Sequence, residues 1–312
     1  MNNKLWLVIC LIALALALSA CLPDGQSEEQ QPAESAPVEG SFVFTEDNYP
    51  RMGGSLAALP LGEAVTAAAL SIEREAAGQL IRFENSTTWN YNALVDGTFD
   101  ILLAYEPSQE AFDYAAEQRF EWEMTAIGRD ALVFIANEAN PVAGLSTEQI
   151  VGIYSGDIVD WSEVGGNGGA IIPYQRNKDS GSQTLFDLLI PMEGRLMDAP
   201  AEYVADSMIG LLEVIADYDN SADALGYTVY YYLTNMETDK LSRSKILAVD
   251  GVEPNNDSIK SGAYPYTNDF YVVIPADTPE DSPVRILYNW ICSAQVAQLG
   301  ETENYVMLNG GQ

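Results

Sequence analysis

The sequence predicts an α/β fold, and three observations support this class. Short, almost wholly apolar runs that suit buried strands alternate with segments whose apolar residues recur at helical spacing. The 312-residue chain is long enough for one large α/β domain or for two smaller lobes. Its hydrophobic content of 47% is that of an ordinary globular protein. We therefore expect a sheet with helices between its strands.

Candidate strands are short apolar runs that end at turn residues. The runs at 100–104 and 131–136 are nearly all apolar, as expected of strands that are buried on both faces. Three further candidates lie at 171–174, 225–232 and 270–274. Helical patterns separate these runs, which is the reason for the α/β class.

Candidate helices occupy the segments between these runs. Residues 63–80 are rich in alanine and carry apolar residues at helical spacing. Ser146 and Gln149 have the spacing of a capping box, which opens a helix. The last predicted helix covers 281–299 and has Pro283 near its first turn, where proline is tolerated.

The first 41 residues are predicted to lie outside the folded body. Residues 1–20 have the shape of a signal peptide, because a single cation precedes an apolar run that is too short for a comfortable membrane span. The run ends at Ser19-Ala20-Cys21, which resembles the bacterial lipobox, where small residues precede a cysteine that becomes lipidated. Residues 21–41 are rich in Pro, Glu, Gln and Ser, which is typical of a disordered tether.

These features predict a protein on the extracytoplasmic face of the cell membrane. A lipid on Cys21 would anchor the chain without a membrane-spanning helix. The alternative is an ordinary secretory signal in which Cys21 is incidental. Cys292 would be the remaining thiol of the mature chain, so no intrachain disulfide is expected.

Composition excludes several functions. The chain has 14 Lys and Arg residues against 46 Asp and Glu residues, and its formal charge is −32, so nucleic acid is not an expected partner. Histidine is absent, which removes catalytic triads that contain histidine and zinc sites that use histidine ligands.

One predicted strand–turn–helix segment carries a candidate anion site in spite of this acidity. Arg176 precedes the turn Ser180-Gly181-Ser182, which runs into an apolar helical pattern. A helix N-terminus offers free backbone N–H groups, and glycine permits a close approach. Arginine adds a charge-assisted, bidentate contact, so the set suits a tetrahedral oxyanion. The alternative is that Ser180 only caps the helix and Arg176 pairs with a surface carboxylate.

Several motifs resemble, in chain order, those of the phosphate-binding lipoproteins of bacterial phosphate ABC importers. This family is a branch of the type II periplasmic-binding-protein superfamily. The segment 49–60 resembles its first phosphate loop, 140–166 resembles its most characteristic block, and 225–232 resembles a late strand. The segment 176–182 matches its anion loop, with Ser182 in place of the usual threonine.

The resemblance implies a two-lobed fold with two hinge crossovers. Lobe I would comprise residues 42–132 plus 266–312, and lobe II would comprise residues 133–265. Ligand would bind between the lobes, at the carboxyl ends of strands, and would favour a hinge-closed form.

The resemblance also implies that the first lobe supplies ligand contacts. Ser55 lies in the first loop, although the neighbouring Leu56 stands where the family usually has a hydroxyl. Thr87 lies where the family has a Ser/Gly-rich loop, in which Trp89 and Asn90 here replace two glycines. The alternatives are a plain helix start at Ser55 and a simple N-cap at Thr87.

Glu106 is the expected acid at the cleft. Near this place the family has a carboxylate that accepts the proton of hydrogen phosphate, and such a group rejects a fully ionised oxyanion. The alternatives are that Glu106 faces solvent and that Tyr105 lines the cleft instead.

The implied function is that of a monomeric solute-binding lipoprotein, which captures inorganic phosphate and delivers it to an ABC permease. No enzymatic activity, cofactor or metal is implied. One alternative is a receptor or sensor for another oxyanion or for a phosphorylated ligand, since the loops at Leu56 and Trp89 depart from the family pattern. A second is an exported hydrolase that uses Ser180 as nucleophile and Lys178 as base, which the lack of histidine disfavours.

Overall fold

The computed structural model describes residues 42–217 and 221–308. The predicted signal peptide, the tether and the lipid site at Cys21 lie outside these residues and stay predictions. Within the described ranges, no helix combines the length and the apolar character that a membrane crossing requires.

Strands and helices alternate along the chain, which confirms the predicted α/β class. The strands are β1 (Met52–Ser55), β2 (Arg82–Glu84), β3 (Ile101–Tyr105), β4 (Trp122–Asn137), β5 (Gly144–Leu145), β6 (Ile172–Pro173), β7 (Gln175–Arg176), β8 (Val204–Ala205), β9 (Ala224–Val229), β10 (Ser244–Ile246), β11 (Ala248–Val249), β12 (Thr267–Pro275) and β13 (Val306–Met307). The helices are α1 (Leu59–Leu70), α2 (Arg74–Gly78), α3 (Thr87–Val95), α4 (Gln109–Gln118), α5 (Thr147–Ser155), α6 (Gly181–Leu189), α7 (Met208–Asp217), α8 (Thr238–Leu241), α9 (Asn256–Lys260), α10 (Pro283–Ile291) and α11 (Ala294–Thr302).

One mixed sheet organises the body. Its strands follow the order β2-β1-β3-β12-β4-β9-β6, and β10 and β13 also pair with β4. The neighbours β2, β1 and β3 are parallel, and β12 is antiparallel to both β3 and β4. The carboxyl ends of β1 and β3 therefore meet at one edge of the sheet, which is where open α/β sheets bind ligands.

Strand β4 changes partners partway along its 16 residues. Its first part, up to Ala131, pairs with β12, and from Leu132 onward it pairs with β9. The residues from Ala131 to Ala136 are completely buried, as their apolar run predicts. The proposed boundary between the lobes falls near this change of partner, but the lobe division itself stays a prediction.

The structure corrects three predicted elements. The helix predicted at 63–80 is broken into α1 and α2, because Ser71 adopts a left-handed conformation with φ 54° and ends α1. The helix predicted at 281–299 is broken into α10 and α11, because Ser293 has extended backbone angles. The strand predicted at 225–232 ends at Val229, and a short π-helical segment begins at Tyr232.

The capping box at α5 is confirmed. The Ser146 hydroxyl accepts a hydrogen bond from the Gln149 N–H at 3.2 Å, and the Gln149 side chain accepts one from the Ser146 N–H at 2.8 Å. These reciprocal bonds satisfy two donors that a helix start leaves free.

Candidate functional site

The turn before α6 has the geometry of a helix N-terminus that is open to a ligand. Ser180 is the N-cap, because its hydroxyl oxygen accepts a hydrogen bond from the Gln183 N–H at 3.1 Å. The next hydroxyl, Ser182 Oγ, is buried and has no hydrogen-bond partner among the described residues. The capping interpretation of Ser180 is therefore correct, and it leaves Gly181 and Ser182 available at the helix end.

Arg176 is buried beside this turn, with only 3% of its surface exposed. Its Nε donates to the Ala205 carbonyl at 3.0 Å, while its Nη1 is buried and has no partner among the described residues. Burial lowers the pKa of Arg176 to about 10, so the guanidinium is still cationic at neutral pH. The alternative of a surface ion pair does not describe this side chain, since no carboxylate of the described residues pairs with it.

Two predicted residues of the other loops meet at the carboxyl edge of β1 and β3. Ser55 is the last residue of β1, and Thr87 is the first residue of α3. Their hydroxyl oxygens lie 3.3 Å apart, and Ser55 Oγ also accepts a hydrogen bond from the Tyr105 N–H at 3.3 Å. Ser86, not Thr87, caps α3, since the Ser86 hydroxyl accepts from the Trp89 N–H at 3.1 Å.

These loops enclose one small cavity, hereafter the anion cavity. Its volume is about 20 Å³. Five of the seven predicted contact residues line it, namely Ser55, Thr87, Arg176, Gly181 and Ser182. Ser180 is adjacent as the cap of α6. The cavity thus brings Ser55 together with Arg176, although more than a hundred positions separate them in the chain.

The two sides of the anion cavity touch each other directly. A Cβ atom at Gly181 would lie 2.5 Å from Thr87 Oγ1, so only glycine fits there without a shift. Ser86 and Ser180 form an isolated antiparallel bridge, and the Ser86 hydroxyl donates to the Asp179 carbonyl at 3.0 Å. The loops on the two sides of the anion cavity are therefore in direct contact.

Glu106 is not brought together with the other predicted residues. It lines a different cavity, where the Tyr271 hydroxyl donates a hydrogen bond to its carboxylate. The alternative residue, Tyr105, lines the anion cavity. Successive residues of an extended chain face opposite sides, so neighbours at the end of β3 reach different cavities.

Sequence reasoning missed a buried carboxylate next to Tyr105. The Tyr105 hydroxyl donates to Asp130 Oδ2 at 2.7 Å, and Asp130 Oδ1 accepts from the N–H groups of Ala131 at 2.7 Å and Tyr231 at 3.1 Å. Burial raises the pKa of Asp130 to about 6. A lone acid directly before the apolar run at 131–136 is the only sequence signal for this group.

Two apolar wall residues were also missed. Met208, the first residue of α7, and Val229, the last residue of β9, line the anion cavity. No motif marks either position, because each enters the wall only through long-range packing. Leu56 lines the cavity as well, at the position where the sequence departs from the family pattern.

The candidate catalytic pair of the hydrolase alternative is not assembled. Lys178 is exposed and its Nζ lies 3.1 Å from Glu110 Oε2, in an ion pair. Ser180 is 2% exposed and caps α6. A lysine whose protonated form is stabilised by an ion pair is a poor base for a buried serine.

Comparison with known proteins agrees with this geometry. The PBP superfamily domain matches residues 57–291. The phosphate-binding protein PstS of Bacillus subtilis is 27% identical over 273 residues, which cover 85% of this chain and 81% of the relative.

Solved structures share the fold. One is a Clostridium perfringens protein assigned as the substrate-binding component of a phosphate ABC transporter and crystallised with bound phosphate. It has a TM-score of 0.66 and 21% identity, with 84% of this chain and 100% of that chain covered. Another is an ABC-type phosphate transport receptor from Vibrio cholerae, with a TM-score of 0.61 and 21% identity over 83% of this chain and 99% of that chain. The family match spans most of the described body, and we conclude that this chain belongs to the PBP superfamily.

Proposed function

We propose that the protein is an extracytoplasmic solute-binding protein, which captures inorganic phosphate and delivers it to an ABC permease. The observation that carries the proposal is a small cavity lined by Arg176 and Ser182, whose buried Nη1 and Oγ atoms have no hydrogen-bond partner among the described residues. Both groups can donate hydrogen bonds. The Bacillus subtilis relative is named as a phosphate-binding protein, and the Clostridium perfringens structure contains phosphate.

The energetic argument rests on the cost of these lone donors. A buried polar group without a partner costs about 1–3 kcal/mol, and more if it is charged. A tetrahedral oxyanion offers acceptors in several directions at once, so one ion can satisfy Arg176, Ser182 and the free N–H groups at the start of α6. The hydroxyls of Ser55 and Thr87 supply further contacts from the opposite side.

The size of the anion cavity supports a small ion. Its volume of about 20 Å³ is far below the roughly 300–1,000 Å³ of sites that hold drug-sized ligands. A phosphorylated sugar or nucleotide does not fit this closed form. Inorganic phosphate is therefore favoured over a phosphorylated organic ligand.

The acidity of the chain does not oppose anion binding at contact range. Salt screens exposed charges beyond about 8–10 Å at physiological ionic strength. Arg176 and the helix end act within hydrogen-bond distance. The acidic surface should instead slow the association of an anion at low salt.

The remaining parts of the proposal follow the sequence. Residues 1–20 would direct export, and a lipid on Cys21 would hold the monomeric protein at the membrane through the tether at 21–41. Lobe I (residues 42–132 plus 266–312) would supply Ser55 and Thr87. Lobe II (residues 133–265) would supply Arg176, Gly181 and Ser182.

Calorimetry of the purified protein with phosphate, arsenate, sulfate and molybdate tests the proposal. We expect one phosphate per chain, with arsenate as the nearest competitor. If sulfate or molybdate binds more tightly than phosphate, the ligand is that oxyanion and not phosphate. Leu56 in the cavity wall, at the position where the family usually has a hydroxyl, would then explain the change of ligand. If none of the four ions binds, the receptor function is wrong.

No enzymatic activity is proposed. The hydrolase alternative predicts turnover of an ester substrate that disappears in Ser180→Ala. We expect no turnover in wild type or in Ser180→Ala. Turnover in wild type that disappears in the variant would contradict the binding function.

A further inference from the structure

A second cavity, hereafter the lateral cavity, lies beside the anion cavity. Its volume is about 440 Å³. Its wall includes residues of α4, α6, β4 and β12 and the segment after β3. This volume falls within the roughly 300–1,000 Å³ that is typical of sites for small organic ligands.

One acceptor in the polar wall of the lateral cavity has no hydrogen donor among the described residues. Asn268 lines it and is only 7% exposed, and its Oδ1 atom is buried without a hydrogen-bond partner among the described residues. A buried carbonyl oxygen in this state costs about 1–3 kcal/mol until a donor reaches it.

The charge of the same wall is negative. Arg129 is its one cation, and the Arg129 Nε lies 2.8 Å from Asp269 Oδ1, in an ion pair. Glu106 also lines the cavity and accepts a hydrogen bond from the Tyr271 hydroxyl. No Lys or Arg of the described residues pairs with Glu106, so its carboxylate charge is uncompensated.

The apolar wall of the lateral cavity is unusually exposed. Leu188 on α6 is 60% exposed and Phe112 on α4 is 46% exposed. Both residues line this cavity, together with the more buried Leu185 and Leu189. Exposed apolar residues that share the wall of one cavity are typical of places where another molecule binds.

We propose that the lateral cavity is a second ligand site, for a small organic cation with a protonated amine and an apolar body. The ammonium group donates to Asn268 Oδ1 and pairs with Glu106. The apolar body covers Leu188 and Phe112. A wall with an uncompensated carboxylate and a free acceptor rejects anions, which separates this ligand class from that of the anion cavity.

The two cavities share structural elements, so their occupants should influence each other. Helix α6 begins at Gly181 in the anion cavity and presents Leu185 and Leu188 to the lateral cavity. Tyr105 lines the first cavity, and the adjacent Glu106 lines the second. A cation that bridges α6 and the end of β3 would hold α6 in the position where it closes the anion cavity. We therefore expect phosphate and the cation to favour each other's binding, by the same factor in both directions.

Benzylamine is a suitable probe, because it combines an ammonium group with an apolar ring. In phosphate-free buffer we expect saturable binding to the full chain with an affinity of about millimolar, which is normal for so small a ligand. Benzyl alcohol lacks the charge and phenylacetate reverses it, and both should bind at least about tenfold more weakly. Phenylacetate binding that equals benzylamine binding would overturn the proposal.

Two variants test the wall directly. Glu106→Gln removes the charge and Leu188→Ser removes exposed apolar surface, and each should weaken benzylamine binding about three- to tenfold. The matched controls are Glu301→Gln on exposed α11 and Leu80→Ser at another partly exposed leucine, neither of which lines the lateral cavity. Full benzylamine affinity in both cavity variants would assign the binding to another place and refute the site.

The coupling is measured by repeating the benzylamine titration in saturating phosphate. We expect saturating phosphate to raise the affinity for benzylamine a few-fold. Coupling between two sites usually changes an affinity about 5- to 150-fold, so this effect lies at or just below the lower end of that range. An unchanged affinity would overturn the coupling. The titrations without phosphate do not depend on the proposed function, so the site can stand even if phosphate does not bind.

Discussion

The anion cavity and the lateral cavity share α6 and the end of β3, but they differ in size and in the sign of their unpaired groups. The anion cavity measures about 20 Å³, and its buried Arg176 Nη1 and Ser182 Oγ atoms, which have no partner in the part of the chain that the structure describes, are able to donate. The lateral cavity measures about 440 Å³. Among the described residues, its Asn268 Oδ1 acceptor has no hydrogen-bond partner and its Glu106 carboxylate has no cationic partner.

This difference shows that net charge does not decide what each region of the protein can bind. A formal charge of −32 is compatible with a cationic cavity, because one buried arginine, which pairs with no carboxylate of the described residues, sets the local sign. Neighbouring residues at the end of β3 contribute to cavities of opposite character. Substitutions that change the burial or the pairing of individual charged groups therefore test the difference between the two cavities.

The largest effect is expected from Arg176→Ala. Removing a buried charge that is paired with a ligand costs about 2–5 kcal/mol, so phosphate affinity should fall about 30-fold or more. Benzylamine affinity should stay within about twofold of wild type, since Arg176 does not line the lateral cavity. Calorimetry with both ligands checks the two statements.

Arg195→Ala is the matched control for this arginine. Arg195 is half exposed, and its Nη1 atom lies 3.9 Å from the Asp157 carboxylate, so its loss should leave both affinities unchanged. If Arg176→Ala lowers phosphate affinity by less than about threefold, the charge of Arg176 is not the reason that the anion cavity binds phosphate.

The second effect concerns Asp130, which is connected to both cavities. Tyr105, whose hydroxyl donates to Asp130, lines the anion cavity, and Arg129 lines the lateral cavity. Because burial raises the pKa of Asp130 from 3.8 to about 6, the folded protein binds this proton more tightly than the unfolded chain does. The resulting stabilisation is fully present below about pH 4 and is lost as the pH rises through 6, by about 3 kcal/mol.

Asp130→Asn isolates this dependence, because asparagine does not titrate. The free energy of unfolding of wild type minus that of the variant should decrease by about 3 kcal/mol between pH 3 and pH 8. Urea unfolding at a series of pH values measures the difference. If the difference is the same at every pH, the carboxylate is not buried as the structure has it.

The smallest effect is expected from Gly181→Ala. The new Cβ atom would lie 2.5 Å from Thr87 Oγ1, so the two sides of the anion cavity must separate slightly. Phosphate affinity should fall about tenfold, with a change in the free energy of unfolding below about 1 kcal/mol. Calorimetry and urea unfolding measure the two quantities.

Thr87→Ala provides the comparison that separates the clash from other causes. It removes the atom that the new methyl group would meet, so Gly181→Ala should have little further effect when Thr87 is already alanine. A full additional tenfold loss in the double variant would show that the close approach to Thr87 is not the reason.

The sequence was most informative where the chemistry is local. Arg176 and Ser180-Gly181-Ser182 lie within seven residues of one another, so one strand–turn–helix pattern predicts their meeting. The capping box of α5 is local in the same sense. Ser55 and Thr87 required the family resemblance, because nothing in their own surroundings distinguishes a ligand contact from a plain helix start.

The errors have physical causes that a single sequence does not display. Strand β3 ends at Tyr105, one residue beyond the predicted run, and one residue exchanges the two faces of a strand. Tyr105 therefore lines the anion cavity, and Glu106 lines the lateral cavity. The backbone angles of Ser71 and Ser293 break two predicted helices. The apolar pattern continues across both residues, so it does not reveal the breaks. Met208 and Val229 reach the anion cavity only through tertiary packing.

Strand β4 gives the protein a property that neither cavity describes. Its two parts pair with different strands, yet Ile127 from the first part and Phe134 from the second belong to one contiguous apolar core. Unfolding either part would expose a strand edge and apolar surface of the other. The body should therefore melt in a single cooperative transition. Any ion held in the anion cavity would then protect the whole body against heat, and not only the loops that touch the ion.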